Sequence, residues 1–151
     1  MINIVIINGG RGASTIIPEI LNHSEFKLTS IVNAYDDGKS TGQIRDFFNM
    51  LGPSDIRKVQ ELMLPDNPQN QSIKQLFSFR FNKNITRSEA IKSIDDVIKK
   101  NHFSFLSSNI NSKNITDFIS TSLSAFLEYL ELAEKVKGKV AFKILPPIGD
   151  L

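Results

Sequence analysis

The chain has 151 residues, 40% of them hydrophobic and 23% charged, with a formal net charge of +2 at pH 7. That suits one domain of ordinary size with a normal core, and so small a net charge gives no footprint for nucleic acid. Cysteine is absent, which excludes disulfides, thiolate zinc sites and cysteine nucleophiles and fits a reducing, cytoplasmic setting. No uncharged apolar run approaches the ~18 residues of a membrane span. The first residues lack the basic stretch and small-residue cleavage site of a signal peptide. Neither a membrane nor a nucleic-acid partner is expected, and the Asn-x-Ser/Thr triplets at Asn22, Asn84 and Asn114 carry no glycosylation expectation.

Ile2 to Ile7 is a nearly continuous β-branched run, the pattern of a parallel strand buried on both faces. It ends in a loop with three glycines, Asn8-Gly9-Gly10-Arg11-Gly12. Ser14 is placed to cap a helix running to about Asn22. Leu28 to Asn33 reads as a second strand, followed by the polar loop Tyr35-Asp36-Asp37-Gly38-Lys39-Ser40-Thr41-Gly42. Helical spacing returns over Gln43 to Met50, and again from Pro53-Ser54-Asp55 to about Leu64. Pro65 to Ser72 has the composition of a loop; Ile73 to Phe81 is apolar-rich, and Thr86 to Lys100 is helical in spacing. Residues 101–116 are rich in Asn and Ser and read as a flexible insertion in a single domain spanning 1–151. Ile119, Leu123, Phe126, Leu127 and Leu130 form a helical stripe, Gly138 ends that helix, and Val140 to Leu145 reads as a third strand.

This order predicts an α/β, doubly wound, mainly parallel sheet with helices on both faces. A right-handed crossover would bring the loops after the first two strands to one sheet edge, where ligands of such folds bind. The glycine loop and the Asp-Asp loop are therefore expected to face one crevice. Glycines let a backbone take positive φ and approach a ligand closely, and the following helix aims free N–H groups at the same spot. Phosphate is the natural guest, against the plainer reading of a tight turn. The dinucleotide fingerprint fails because Thr15 stands at its third glycine, and Gly38-Lys39-Ser40 is no P-loop because Asn33 stands at its first glycine.

Asp36 and Asp37 suit Mg²⁺ beside a diphosphate, or a hydroxyl or base role on a nucleophile, or simply a solvated acidic turn. Ser40 and Thr41 offer hydroxyls to a phosphate. Asp55 suits a helix cap, and Arg57 can aim a guanidinium at phosphate. His23 and His102 have no partners at metal-ligand spacing and read as surface residues.

At these loops the chain resembles the superfamily of 2-phospho-L-lactate transferase and the gluconeogenesis factors. The matching stretches are Asn8-Gly9-Gly10-Arg11-Gly12-Ala13-Ser14, Asp36-Asp37-Gly38-Lys39-Ser40-Thr41-Gly42 and Gly52-Pro53-Ser54-Asp55-Ile56-Arg57. A fourth, Leu76-Phe77-Ser78-Phe79-Arg80-Phe81, follows in register. The resemblance implies a Rossmann-like fold binding a nucleotide or nucleotide sugar. It places Gly9, Gly10, Arg11, Gly12, Ser14, Ser40, Thr41, Asp55 and Arg57 around the ligand, and Asp36 and Asp37 at a Mg²⁺ ion or the acceptor hydroxyl. In the transferase branch a phospholactyl group moves from a guanosine diphosphate donor to a deazaflavin; the gluconeogenesis factors are taken to bind nucleotide sugars. Asn8, Lys39 and Ser54 stand where the family has glycine, Arg11 where it has threonine, and the later Gly-His-Ser helix start is missing. Arg11 and Lys39 favour a more anionic ligand. The resemblance covers about half of a family chain, which leaves room for a homo-oligomer or a partner chain that completes the fold.

Overall fold

The computed structural model describes every residue except 36–38, 101–102, 104–109, 111 and 143–144, and only the backbone of 39 and 40. The described residues form a mixed α/β chain with two parallel strands and six α-helices. These are β1 (Ile2–Asn8), α1 (Ile16–Leu21), β2 (Phe26–Val32), α2 (Lys39–Phe48), α3 (Ser54–Met63), α4 (Pro68–Ser78), α5 (Arg87–Lys100) and α6 (Lys113–Lys137), with a 3₁₀ turn at Ile148–Asp150. The chain divides into two compact units: residues 1–70 with Asp150, and residues 71–149 with Leu151.

In the first unit, β1 and β2 pair in parallel from Ile2↔Phe26 to Asn8↔Val32. The alternation of the strand selects one packed face. Ile6, Leu28 and Val32 lie on it against a core of Ala13, Ile17 and Val59, joined by Leu62 and Met63 from α3. Ile17 is wholly buried, a placement that stabilises by roughly 1.5–3 kcal/mol. The opposite face departs from the expected two-sided burial: Val5 is 61% exposed and Ile7 82%. The helices that pack on β2 in this unit, α1 and α3, meet the side that carries Ile6 and Leu28.

Asn49, with φ of 53°, ends α2 in the left-handed region, which Asn tolerates better than most residues. Gly52 follows, its N–H donating to the Ala34 carbonyl at 3.0 Å. A Cβ there would collide with Thr41 Cγ2, so the glycine permits the lead-in to α3 to lie against the first turn of α2.

In the second unit, α5 packs on α6. Thr86 and Glu89 form a reciprocal capping box at the start of α5: Thr86 N–H and Oγ1–H donate to Glu89 Oε2 at 2.8 and 2.7 Å, and Glu89 N–H donates to Thr86 Oγ1 at 3.3 Å. Ile119, Leu123 and Leu130 of the predicted stripe are buried on α6. Gly138 terminates that helix with φ of 62°, as the sequence predicts.

Three local expectations are corrected. Pro65 to Ser72 is not all loop, because α4 opens at Pro68. Proline suits a first helical position, and Asn67 Oδ1 accepts the Asn70 N–H at 2.9 Å, which is capping geometry. The Asn/Ser-rich segment ends sooner than composition implies, since 113–116 are the first turn of α6 and Thr116 is buried there. The expected third strand does not form at Val140, Ala141, Phe142 or Leu145. The Ala141 N–H donates to Glu134 Oε1 at 2.8 Å, which takes it out of any ladder, and the same oxygen accepts from Arg87 Nη2 at 2.6 Å.

Candidate ligand site at the carboxyl edge of the strands

β1 and β2 end together, and Asn33 N–H donates to the Asn8 carbonyl at 2.9 Å just past the last paired residues. The glycine loop and the loop carrying Asp36 and Asp37 therefore leave the same edge of the sheet, as parallel pairing requires. Asn8 sits at that edge. Its Nδ2 donates to Ser30 Oγ at 2.8 Å, and its Oδ1 is buried with no hydrogen-bond partner.

The glycine loop works differently from the positive-φ expectation. Among the described glycines only Gly138 has positive φ; Gly9, Gly10 and Gly12 are needed for space or not at all. A Cβ on Gly10 would stand 2.6 Å from Asp55 Oδ1 and 3.0 Å from both Asp55 Cα and Lys58 Cβ. Gly10 thus lets the loop lie flush against the first turns of α3, and a Cβ on Gly9 would stand 3.0 Å from Asp55 Oδ2. A Cβ on Gly12 would meet nothing within 4 Å. Gly12 and Arg11 are exposed, so this part of the loop faces open space.

Ser14 is not the cap of α1. Its N–H and Oγ–H both donate to the Arg11 carbonyl, at 3.2 and 2.9 Å, closing a turn before the helix begins. Thr15 takes the cap position without a side-chain hydrogen bond. Asp55 is in the first turn of α3 behind Pro53, which occupies the cap position, so Asp55 adds favourable negative charge to that helix end rather than capping it.

Thr41, Ser54 and Arg57 meet in a polar network that includes a residue the sequence reading did not single out, Asp150. Thr41 Oγ1–H donates to Ser54 Oγ at 2.6 Å, and Ser54 Oγ–H donates to Asp150 Oδ2 at 2.8 Å. Arg57 Nε–H donates to Asp150 Oδ1 at 2.6 Å, and its Nη1 donates to Glu61 Oε2 at 3.3 Å. Lys58 Nζ completes the cluster on Glu61 Oε1 at 2.9 Å. The Asp150 side chain is fully buried and that of Arg57 is 11% exposed. Arg57 is thus already held by two carboxylates. Its pairing with Glu61, four residues on, was legible as a helical i, i+4 pair. No local pattern could reveal Asp150, which lies 93 residues away.

Arg45 stacks over the Tyr35 ring at 4.0 Å from its centroid, a cation–π contact at the base of the Asp-Asp loop. Asp36, Asp37 and Gly38 lie outside the described residues, as do the side chains of Lys39 and Ser40. Among the described residues no group of three or more His, Asp or Glu side chains is arranged to hold a metal ion.

A parallel βαβ start followed by helices places the described residues in the mixed α/β class of fold. The sequence profile of the family described as 2-phospho-L-lactate transferase CofD matches residues 4–142. The chain belongs to that family. It is 37% identical over 78 residues to the gluconeogenesis factor of Listeria innocua, a stretch covering 52% of this chain and 23% of that protein. The gluconeogenesis factor of Bacillus subtilis is 36% identical over 80 residues, 53% of this chain and 24% of that one. These matches therefore span about a quarter of the length of each relative. Among solved structures, a UPF0052-family protein of Bacillus halodurans aligns over 97% of this chain and 39% of its own, at 23% identity and a TM-score of 0.46.

Proposed function

We propose that the chain binds a phosphorylated ligand of nucleotide or nucleotide-sugar type at the carboxyl edge of β1 and β2. The observation that carries this is the parallel pairing, extended by the Asn33–Asn8 hydrogen bond, which sends both candidate loops to one edge. Two local features support it. The exposed Arg11–Gly12 turn leaves backbone accessible beside a cationic side chain, and the buried Asn8 Oδ1 is an acceptor with no partner of its own, suited to a hydroxyl or N–H of the ligand and not to its phosphate. Asp55, packed on Gly9 and Gly10, would border the ligand. Arg57 would reach a phosphate only by exchanging Asp150 or Glu61 for it.

Membership of the transferase family supports group transfer from a nucleoside diphosphate donor as the enzymatic form of this reading, with Asp36 and Asp37 as the acidic groups. Mg²⁺ held there would neutralise the diphosphate and ease departure of the nucleotide. The reading includes a doubly wound sheet, in which further strands extend β1 and β2, and a cytoplasmic setting. A second reading, a metabolite-binding regulator without catalysis, is favoured by the gluconeogenesis-factor names of the relatives above.

A thermal-shift series with GDP, GTP, UDP-N-acetylglucosamine and NAD, each with and without Mg²⁺, tests both. A ligand binding the native state alone adds about 2.7 kcal/mol at a hundredfold excess over Kd. A Mg²⁺-dependent shift with GDP, lost in Asp36→Asn/Asp37→Asn, supports the transferase form. A metal-independent shift with the UDP sugar supports the regulator. The absence of any shift from the folded chain removes the nucleotide-type site.

A further inference from the structure

The residues that follow β2 are tied to the fold one after another. Asn33 N–H donates to the Asn8 carbonyl at 2.9 Å, the Ala34 carbonyl accepts from Gly52 N–H at 3.0 Å, and Tyr35 N–H donates to Asn33 Oδ1 at 3.0 Å. The last of these closes an Asx turn. The backbone is therefore fixed where the Tyr35 ring leaves it. The ring is held as well, because the Arg45 guanidinium carbon stands 4.0 Å from its centroid, over one face. Arg45 is braced in turn: its Cδ lies 3.5 Å from where a Cβ on Gly52 would stand. Tyr35 nevertheless remains 68% exposed. With Arg45 on one face, so large an exposure leaves the other face open to solvent. A single exposed side chain is ordinary on a protein surface. A ring with a fixed backbone, a cation behind it and an open front, at the sheet edge from which both candidate loops leave, is a stacking platform.

We infer that the open face of Tyr35 stacks on the base of the ligand, which makes Tyr35 the residue that selects a nucleotide over other phosphorylated compounds. The inference rests on the nucleotide-type reading proposed above and assigns the part of the ligand which that reading leaves unplaced. An aromatic ring is electrostatically negative on its faces, so a phosphate gains nothing from this one. A flat heterocycle does, because every base has a π-face of its own. Little freedom is lost when the stack forms, since the backbone is already tied and a tyrosine ring turns on few torsions. Position agrees with this assignment. Asn8 and Val32 are paired neighbours on adjacent strands, about 4.8 Å apart, so the glycine loop and the turn that carries Tyr35 start one strand spacing from each other. Phosphates beside Arg11 and Gly12 and a base on Tyr35 then belong to one molecule.

Isothermal titration of the full chain with GDP, UDP and inorganic pyrophosphate, each with Mg²⁺, provides the test. At least one nucleoside diphosphate should bind more tightly than pyrophosphate. Tyr35→Ala should weaken that nucleotide by about tenfold and leave pyrophosphate unchanged. Tyr35→Phe should keep the parent affinity, since the stack uses the ring and not the hydroxyl. Both variants should retain the far-UV circular dichroism of the parent, because the side chain is exposed. A second readout responds to stacking itself. The chain has two tyrosines, so Tyr129→Phe leaves Tyr35 alone, and its ring-proton resonances should move upfield with the nucleotide and stay in place with pyrophosphate. A nucleotide that binds no tighter than pyrophosphate overturns the inference and leaves the phosphate site standing. So does a nucleotide affinity unchanged in Tyr35→Ala, a loss there that is equal for nucleotide and pyrophosphate, or a Tyr35 ring whose resonances do not move. Binding of none of the three probes overturns the inference together with the reading on which it rests.

Discussion

Removing the carboxylate of Asp150 should destabilise the first unit by about 3 kcal/mol. That side chain is fully buried and accepts from both Ser54 Oγ and Arg57 Nε. Asp150→Ala leaves the nearly buried Arg57 guanidinium with its 3.3 Å contact to Glu61. Breaking a buried pair by deleting one member costs ~3–5 kcal/mol, because the other charge is stranded away from water. Glu61 still offsets Arg57, which places the loss at the lower end of that range. The chain has no tryptophan and two tyrosines; Tyr129→Phe would leave Tyr35 as the only tyrosine, a fluorescent reporter in the first unit. In urea, with a slope of ~1.5–3 kcal/mol per molar, the midpoint reported by Tyr35 should fall by about 1–2 M. The double substitution Arg57→Met/Asp150→Leu removes both charges together and should cost less than the sum of its singles, since a buried pair replaced by apolar residues of similar volume is often neutral, the remaining loss coming from the Ser54 hydroxyl, which is left without its acceptor. A loss under ~1 kcal/mol in Asp150→Ala, or a double variant as damaged as the sum of its singles, would refute the view that these groups form one buried charge pair.

The two ends of the glycine loop should respond oppositely to alanine. Gly10→Ala drives a Cβ against Asp55 and Lys58 and should cost about 1–3 kcal/mol in denaturant midpoint. Gly12→Ala meets nothing and should leave stability unchanged or raised by ~0.4–1 kcal/mol, while weakening any ligand that approaches its backbone. At the far end of α6, Gly138→Ala places a Cβ at φ of 62° and should cost about 1–2 kcal/mol by thermal melting. At the start of α5, hydrogen bonds from the Thr86 backbone and side chain hold the Glu89 carboxyl below its ordinary pKa. A lowered folded-state pKa means this stabilisation is complete above the unfolded value and is lost as pH falls through the folded one. Melting curves of parent and Glu89→Gln should therefore differ at neutral pH and converge as the solution is acidified through the carboxylate range.

Where local chemistry decided the outcome, the sequence was readable. The β-branched run at Ile2–Ile7, the helix starting beside Thr86 and the stop at Gly138 all formed where pattern alone placed them. The common edge of the two loops followed from a parallel crossover, with no side-chain detail needed. The misreadings arose where a competing partner intervened. Ser14 had the residue type of a cap, but the Arg11 carbonyl captured its hydroxyl. Val140 and Ala141 had strand composition, but Glu134 took the Ala141 N–H. At Pro68 a loop-like composition hid a helix start, because proline and asparagine serve both. Gly9 and Gly10 looked like φ > 0 residues and proved to be spacers against α3, a distinction that depends on Asp55 and Lys58, more than forty positions along the chain. Arg57 could be picked out as a charged anchor, but its partner Asp150 could not, since nothing in a one-dimensional pattern links residues so distant.

That distance has a consequence for how the protein is made. Residue 150 leaves the ribosomal synthesis site 93 residues after Arg57, a delay of roughly 5 to 19 s at translation rates of ~5–20 residues per second. Throughout that interval β1, β2 and α3 exist without the carboxylate that joins Ser54 to Arg57, and Arg57 has Glu61 alone. The first seventy residues are therefore translated early and completed late, and a nascent chain arrested short of residue 150 should expose the Ser54–Arg57 end of α3 to protease far more readily than the released protein does.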